Sequence, residues 1–344
     1  MGPMQAIFPC YRCNGVPSWF AVSLTLAVLA TISALPAHAA ESTWRPAENV
    51  EIIAGSAPGG GIDFLARQMQ KALQDGRLVE SSINVVNKPG AGGAIALGYL
   101  GQHRGNGHYI AIVSNTLLTS YVTGISKHYF ADFTPLAILL NDYVSFVTRT
   151  DSPLTSGKDL IARLKDDPAS VTFGMASALG NINHIAIGGV TRAAGVDPRK
   201  LKIVVFGSAG KGMTAGLGGH VDVVVSSPSI AARHVEAGKM RALAVTSTRR
   251  LSGVLADTPT WKEQGIDTVL TNWRGVIGPP GMSEGQTAFW DQVFARLAQI
   301  EDWNDQLRKK MLESVHMDSK STANYMKEQY DTMKRALTDL GFAK

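Results

Sequence analysis

The strongest constraint on the fold is a short apolar run, a glycine turn and an amphipathic segment in immediate succession, Ala54-Gly-Ser-Ala-Pro-Gly-Gly-Gly-Ile-Asp-Phe-Leu-Ala-Arg67. Val50, Ile52 and Ile53 read as a buried strand. Pro58 and Gly59 to Gly61 make a turn almost free of Cβ atoms, and Phe64, Leu65, Gln68, Met69, Ala72 and Leu73 then give a mostly apolar face at helical spacing. Glycines at such a place let peptide N–H groups approach a ligand, while the first turn of the helix offers unpaired donors and the positive end of a macrodipole. Gly59, Gly60 and Gly61 are therefore candidate anion donors, with a plain connecting turn as the alternative. Asp63 has two readings that stay open: it caps the helix, or it accepts a bond from a ligand amine or water.

The same unit recurs. Ile83 to Val86 read as a second strand, followed by the turn Asn87-Lys-Pro-Gly-Ala-Gly-Gly93 and a helix from Ala94 to Gln102. Tyr109 to Ser114 is a third strand ending in Asn115-Thr116; Leu136 to Leu140 and Tyr143 to Thr148 are two more. From Ser156 the pattern restarts: a helix to Lys165, the strand Val171 to Phe173, the small-residue turn Gly174 to Gly180, and a helix from Asn183 to Ala194. Leu201 to Phe206 is a strand, Gly207 to Gly212 a turn, Val221 to Val225 a strand, Ala232 to Ala237 a helix and Ala242 to Thr246 a strand. Val269 to Gly278 is strand-like. Behind it Phe289, Val293, Leu297 and Ile300, then Tyr325, Tyr330, Met333 and Leu337, carry helical periodicity and read as core. Strands alternating with helices imply an α/β architecture with largely parallel sheets, and the restart suggests two similar lobes joined by strands.

Phe20 to Leu35 form an apolar run followed by Pro36-Ala-His-Ala-Ala40. The run is shorter than the roughly 18 to 20 residues of a membrane span, and Ala37-x-Ala39 supplies small residues for cleavage, so residues 1–39 are expected to be a secretory signal peptide removed after Ala39. The region before the run carries one basic side chain, Arg12, which leaves Met4 as an alternative start and an uncleaved anchor as an alternative fate. Cys10 and Cys13 lie upstream of the run, so their Cys-x-x-Cys spacing would leave with the leader. The mature chain would then hold no thiol and depend on its core, which roughly 300 residues make easy. It would stay mildly basic. Its cations are scattered, with Arg249-Arg250 and Arg308-Lys309-Lys310 as small clusters that read as solvated helix faces, and nucleic acid is not an expected partner.

Motifs for chemistry are sparse. There is no Gly-x-Ser-x-Gly elbow. Ser208-Ala-Gly-Lys211 has the Ser-x-x-Lys form of penicillin-recognising enzymes, which keeps an exported serine hydrolase using Ser208 and Lys211 as an alternative, but the companion Ser-Asp-Asn and Lys-Thr-Gly strings are missing. Phe64 stands where a dinucleotide fingerprint needs its third glycine, and Gly212 stands where a Walker loop needs Ser or Thr. His103, His108, His128, His184, His220, His234 and His316 show no metal-ligand spacing, so no metal and no cofactor are expected. What remains are turns of Gly, Ser, Thr, Asn and Ala at strand ends: Gly59 to Asp63, Ser114 to Thr116, Ser177 to Asn181, Gly207 to Lys211, and Ser226-Ser227. In open α/β sheets a ligand lies outside the carboxyl ends of the strands, where such turns converge. Neutral donors without nucleophile or base describe binding better than turnover.

Five strings in register add a resemblance: Pro58-Gly-Gly-Gly-Ile-Asp63 before Ala66-Arg67, Val86-Asn-Lys-Pro-Gly-Ala-Gly-Gly93, Leu217-Gly-Gly-His-Val-Asp222, Gly238-Lys-Met-Arg-Ala-Leu-Ala-Val245 and Pro259-Thr-Trp-Lys-Glu-Gln-Gly265. Together they resemble the Bug family, the periplasmic solute receptors of tripartite tricarboxylate transporters. The resemblance implies a type II-like, two-lobed Venus-flytrap fold of periplasmic binding proteins, with residues 40–146 and 271–344 in the first lobe and 147–270 in the second. It implies a monomeric periplasmic receptor that closes over a small organic acid, usually a carboxylate, and serves integral membrane permease subunits; a receptor that signals to a membrane sensor is the alternative. The grip maps to Gly59, Gly60, Gly61 and Asp63, to Ser114, Asn115 and Thr116, and in the second lobe to Ser177, Gly180, Asn181 and Ser208. Two departures stand out. Gly174-Met-Ala-Ser-Ala-Leu-Gly180 lacks the family's middle glycine and is one residue longer, and Phe206-Gly207-Ser208 replaces a usual Tyr-Lys-Gly. Losing that lysine and phenol implies a ligand whose far end is less charged or more apolar than a tricarboxylate.

Overall fold

The computed structural model describes Gly2 and residues 44–176 and 179–344; the expected leader and Ser177 lie outside them. The described chain holds two sheets. The first has six strands in the order β11-β4-β10-β3-β1-β2, the second five in the order β7-β6-β8-β5-β9. The strands are β1 (Val50–Ala54), β2 (Ile83–Asn87), β3 (Tyr109–Ser114), β4 (Thr134–Asp142), β5 (Ser145–Arg149), β6 (Thr172–Ala176), β7 (Lys202–Phe206), β8 (Val223–Ser226), β9 (Met240–Val245), β10 (Asn272–Gly278) and β11 (Glu313–Met317). The helices are α1 (Gly61–Asp75), α2 (Ala94–Gly101), α3 (Thr116–Val122), α4 (Gly157–Asp166), α5 (Ile182–Ala193), α6 (Ala209–Leu217), α7 (Pro228–Glu236), α8 (Glu284–Leu297), α9 (Glu301–Lys309) and α10 (Ser319–Asp339). β1 runs parallel to β2 and β3, and β6 parallel to β7 and β8, so each lobe repeats the same strand–helix–strand wiring. The mixed α/β, two-lobed class expected from the sequence is the one observed.

Each sheet is covered on both faces. In the first lobe Ile52, Leu65, Met69, Trp290, Phe294 and Trp303 form one layer, and Ile53, Leu97, Leu118, Trp273 and Met326 the other. In the second lobe Phe146, Leu160, Phe173, Ile187 and Trp261 pack on one face, and Met213, Val224 and Ala231 on the other. Two connections cross between the sheets, Tyr143-Val144 from β4 to β5 and residues 246–271 from β9 to β10. They are laced together at the fully buried Thr246, whose Oγ1 accepts from Val144 N at 3.0 Å and donates to Leu270 O at 2.8 Å. The long α10 forms a third link, with Met326 in a first-lobe layer and Met333 and Leu337 in the core of the second.

The elements differ from the sequence reading in places with identifiable causes. β6 continues through Gly174-Met-Ala176, read as a turn, because a central strand paired on both sides gains a ladder at Gly174, Met175 and, against Phe206, Ala176. The glycine-rich stretch after β7 is helical from Ala209. Gly216 serves close packing, since a Cβ there would collide with Val224 Cγ2. α3, α9 and β11 have no counterpart in that reading. α9 buries just Trp303 and Leu307, four residues apart, and β11 is a half-buried edge strand, so neither carries a strong apolar period.

Candidate functional site

A cavity of about 270 Å³ opens at the carboxyl ends of β1 and β3, lined by Gly55, Ser56 and Ile62, by Gly90, Gly92, Gly93, Ala96 and Leu97, and by residues 111–114, Thr116 and Leu117. Three local structures build it, and each follows from its sequence.

The first is the loop from Gly55 to Gly60, which enters α1 without a side-chain cap. Asp63, at the third position of α1, is its hub. One carboxylate oxygen accepts the Gly59 N–H at 2.8 Å and the other accepts Asn87 Nδ2 at 2.8 Å, while Arg67 Nε lies 3.1 Å from both. Asp63 N donates to Ser56 Oγ at 3.2 Å, and Asn87 Nδ2 also reaches Ser56 O at 2.9 Å. Asp63 is buried, and the hydrogen bond from Arg67 first, then those from Gly59 and Asn87, hold its carboxyl down at about 2 against the desolvation that opposes them. Both oxygens thus serve the loop's own geometry. Gly59 sits at φ +81°, and Gly60 passes so close beneath that a Cβ would stand 2.9 Å from Ser56 Oγ and 3.1 Å from Ala57 O. The consequence lies one step along. Gly60 N, Asp63 N and Phe64 N all find acceptors, but the N–H groups of Gly61 and Ile62 have none among the described residues. They are the orphan donors of a helix start, beside the cavity that Ile62 lines.

The second is the turn after β2, where Ala91–Gly93 form one 3-10 turn leading into α2. Ser120 of α3 holds it by donating to Gly92 O at 3.1 Å. Lys88, at its start, lies over the Tyr99 ring, 4.1 Å from the centroid. The third is the end of β3. Ser114 Oγ donates to Thr116 Oγ1 at 3.2 Å and accepts Thr116 N at 3.3 Å. Asn115, buried between them, donates through Nδ2 to Thr271 O at 3.0 Å and so ties this loop to the segment returning from the second sheet. Its Oδ1 is buried with no partner among the described residues.

The residues singled out on the second sheet do not line this cavity. Asn181 caps α5: its Oδ1 accepts from Asn183 N at 3.0 Å and His184 N at 3.1 Å, and its Nδ2 donates to Ala176 O. Gly180, at φ +82°, donates its N–H to His184 Nδ1 at 2.9 Å. Burial pushes His184 down to about 4, so near neutrality the ring is uncharged and free to accept that bond. Ser208 is the N-cap of α6 and accepts from Lys211 N at 3.3 Å, an exposed capping arrangement. Of the residues singled out in the sequence, Ser114 and Thr116 line the cavity, beside Gly55, Ser56 and Ile62; Gly59, Gly60, Gly61, Asp63 and Asn115 belong to the loops that frame it but are not among its lining residues, and Gly180, Asn181 and Ser208 stand on the other sheet at the starts of α5 and α6.

Sequence reasoning missed Ser56, Asn87 and Arg67, which fix the glycine loop, and Ala96, Leu97 and Leu117, which supply the apolar wall. Asn87 stood inside a quoted string, but nothing in one sequence ties it to Asp63 across the strand pair. It also missed Arg274, which pairs with Ser114 across β10 and β3. Arg274 Nη1 donates to Asn272 O, Asn272 Oδ1 and Trp273 O at 2.7 to 3.1 Å. Burial lowers its basicity and raises buried Asp142 to about 6, each opposed by the attraction between them. Among the described residues, no group of three or more His, Cys, Asp or Glu is placed to hold a metal, and no helix is long and apolar enough to cross a membrane.

Comparison with known proteins gives a consistent picture. The family described as tripartite tricarboxylate transporter family receptor, TctC, matches residues 65–342. A relative from Cupriavidus necator, the UPF0065 protein in the gbd 5' region, is 26% identical over 314 residues, 91% of this chain and 93% of that one. Among solved structures, a TctC solute-binding protein from Polaromonas superposes with a TM-score of 0.75 at 25% identity, covering 86% of this chain and 99% of its own. The R. palustris protein Rpa4515, solved with adipate, gives a TM-score of 0.73 at 22% identity, over 87% and 99%.

Proposed function

Because the chain belongs to the tripartite tricarboxylate transporter receptor family, a family of solute receptors and not of enzymes, we propose that it captures a small organic carboxylate between its lobes in the periplasm and hands it, chemically unchanged, to permease subunits in the membrane. The observation that carries this reading is the cavity at the ends of β1 and β3, which Ile62 lines at the positive end of α1, where the N–H groups of Gly61 and Ile62 have no acceptor among the described residues. A carboxylate there exchanges water for fixed amide donors, each helix terminus contributing about 0.3 to 1 kcal/mol and more as the site dries. Because the Asp63 network fixes the loop beforehand, little ordering cost falls on binding.

On this reading Gly59 to Gly61, Ser114 and Thr116 form the first half of the grip. Ser177, Gly180, Asn181 and Ser208 close on the ligand from the second sheet, with movement about Tyr143-Val144 and the return connection ending at residue 271, and with residues 1–39 spent as the export signal. The adipate held by Rpa4515 supports a carboxylate as the ligand class. The test is a thermal-shift screen of mono-, di- and tricarboxylates against the mature protein, with NMR of the recovered acid. A ligand at one hundred times its Kd stabilises by about 2.7 kcal/mol, which a melting curve resolves. No shift with any acid, or a new product in the spectrum, overturns the proposal.

A further inference from the structure

Resting on that reading, we infer that the ligand is a monocarboxylate with a compact apolar body, whose far end carries no second acid group. The cavity's own chemistry argues this. None of its lining residues carries a charged side chain, and Ile62, Ala96, Leu97, Val113 and Leu117 make most of its wall apolar. Its only polar side chains are the neutral hydroxyls of Ser56, Ser114 and Thr116, of which Ser114 spends its proton on Thr116 while Ser56 accepts from Asp63 N.

The surrounding cations are committed elsewhere. Arg67 is paired with Asp63 at 3.0 Å, Lys88 lies over Tyr99, and Arg274 is turned onto the carbonyls of Asn272 and Trp273. One carboxylate finds the free amides at the start of α1, whereas a second would be desolvated in a mostly apolar cavity that offers it the neutral Ser56 and Thr116 hydroxyls and no cationic side chain, too little to offset the cost of burying its charge. The surroundings continue the theme. Ile95 and Ile125, 52% and 58% exposed, lie beside Gly90 and Gly92 of the lining, since a Cβ on Gly90 would meet Ile95 Cδ1 at 2.6 Å and one on Gly92 would meet Ile125 Cγ2 at 3.5 Å. Exposed apolar side chains close to an apolar cavity are suited to an apolar body. The volume of about 270 Å³ leaves room for a body the size of benzoate or a six-carbon acid.

The experiment is calorimetric titration of the mature protein with hexanoate, benzoate and adipate, where hexanoate and adipate share a carbon chain and differ in whether the far end is methyl or carboxylate. Hexanoate or benzoate binding at least about tenfold more tightly than adipate is the expected result, together with a loss of about fivefold or more in Ile62→Asn, whose side chain lines the cavity but is partly buried, so the fold survives. Adipate binding as tightly as hexanoate, or more so, overturns the inference and leaves the receptor reading standing; loss of that preference in Arg274→Gln would then assign the second carboxylate to Arg274. Failure of every acid to bind overturns both.

Discussion

Replacing Asp63 by Asn tests whether one carboxylate organises the glycine loop. In the native chain it accepts from Gly59 N, Asn87 Nδ2 and Arg67 at 2.8 to 3.1 Å. The amide introduced by Asp63→Asn would keep one oxygen and present an NH₂ group to a donor, so at least one of these contacts becomes donor against donor. The carboxyl is held at about 2 instead of 3.8. Nearly two units at about 1.4 kcal/mol each give about 2.5 kcal/mol, and because Arg67 is 51% exposed the solvent-screened value is about 1 to 2 kcal/mol. The sign follows from linkage. A carboxyl whose folded-state value is depressed contributes its full stabilisation above its ordinary value near 4 and loses it as pH falls through about 2. Urea unfolding of the native protein and Asp63→Asn should therefore differ by about 1 to 2 kcal/mol at about pH 7, with the gap closing between about pH 4 and about pH 2. Affinity for the carboxylate should fall with it, because Gly59 and Asn87 lose the carboxylate that anchors them. A gap below about 0.5 kcal/mol at neutral pH, or one that persists unchanged near pH 2.5, refutes the assignment.

Two further outcomes follow from the same geometry. Gly60→Val places a side chain 2.9 Å from Ser56 Oγ and 3.1 Å from a backbone carbonyl, so the loop must shift; carboxylate binding should be lost while far-ultraviolet circular dichroism stays native, and unchanged affinity would remove this loop from the site. Burial holds His184 at about 4 against its ordinary 6.5, so the protein should lose about 3 kcal/mol as pH falls from about 6.5 to about 4, when the unfolded chain takes up the proton first. In His184→Gln that part of the pH dependence should vanish, and a stability profile identical to native across the window would show that the ring does not govern it.

The architecture was legible because buried parallel strands are written as apolar runs closed by small residues. Tyr109 to Ser114 matches β3 at both ends, and the glycine turn after Ile53 leads into α1 at Gly61 as its apolar spacing requires. The elements that escaped detection depend on tertiary partners. α3 begins directly at Thr116, and its Leu117, Leu118 and Val122 are too few to display a period; its position is set by packing against the 3-10 turn and by Ser120 holding Gly92 O. Gly210, Gly212 and Gly216 signal a turn locally, yet form part of a helix, and the missing side chain of Gly216 lets α6 lie on Val224. The family resemblance succeeded where local propensity failed because its strings report positions of close backbone approach, which many tertiary contacts constrain at once.

The site was legible by half, and the divide has a physical cause. Ser, Thr, Asn and Asp at a strand–helix junction look the same in sequence whether their oxygens face a ligand or their own helix. Asp63, Asn181 and Ser208 were singled out for the same reason, and in the structure their oxygens accept from Gly59 N, His184 N and Lys211 N respectively, so each braces its own loop or helix start. What a junction offers a ligand is the remainder after such internal bonds are made, and that remainder consists of peptide groups, which carry no residue-type signature. The unpaired donors of Gly61 and Ile62 emerge because Ser56 and Ala57 have already taken the neighbouring N–H groups. On the proposed reading, anion specificity resides in which amides the loop leaves unsatisfied, so changes at Asn87 and Arg67, neither of which lines the cavity, should shift affinity by redistributing those donors.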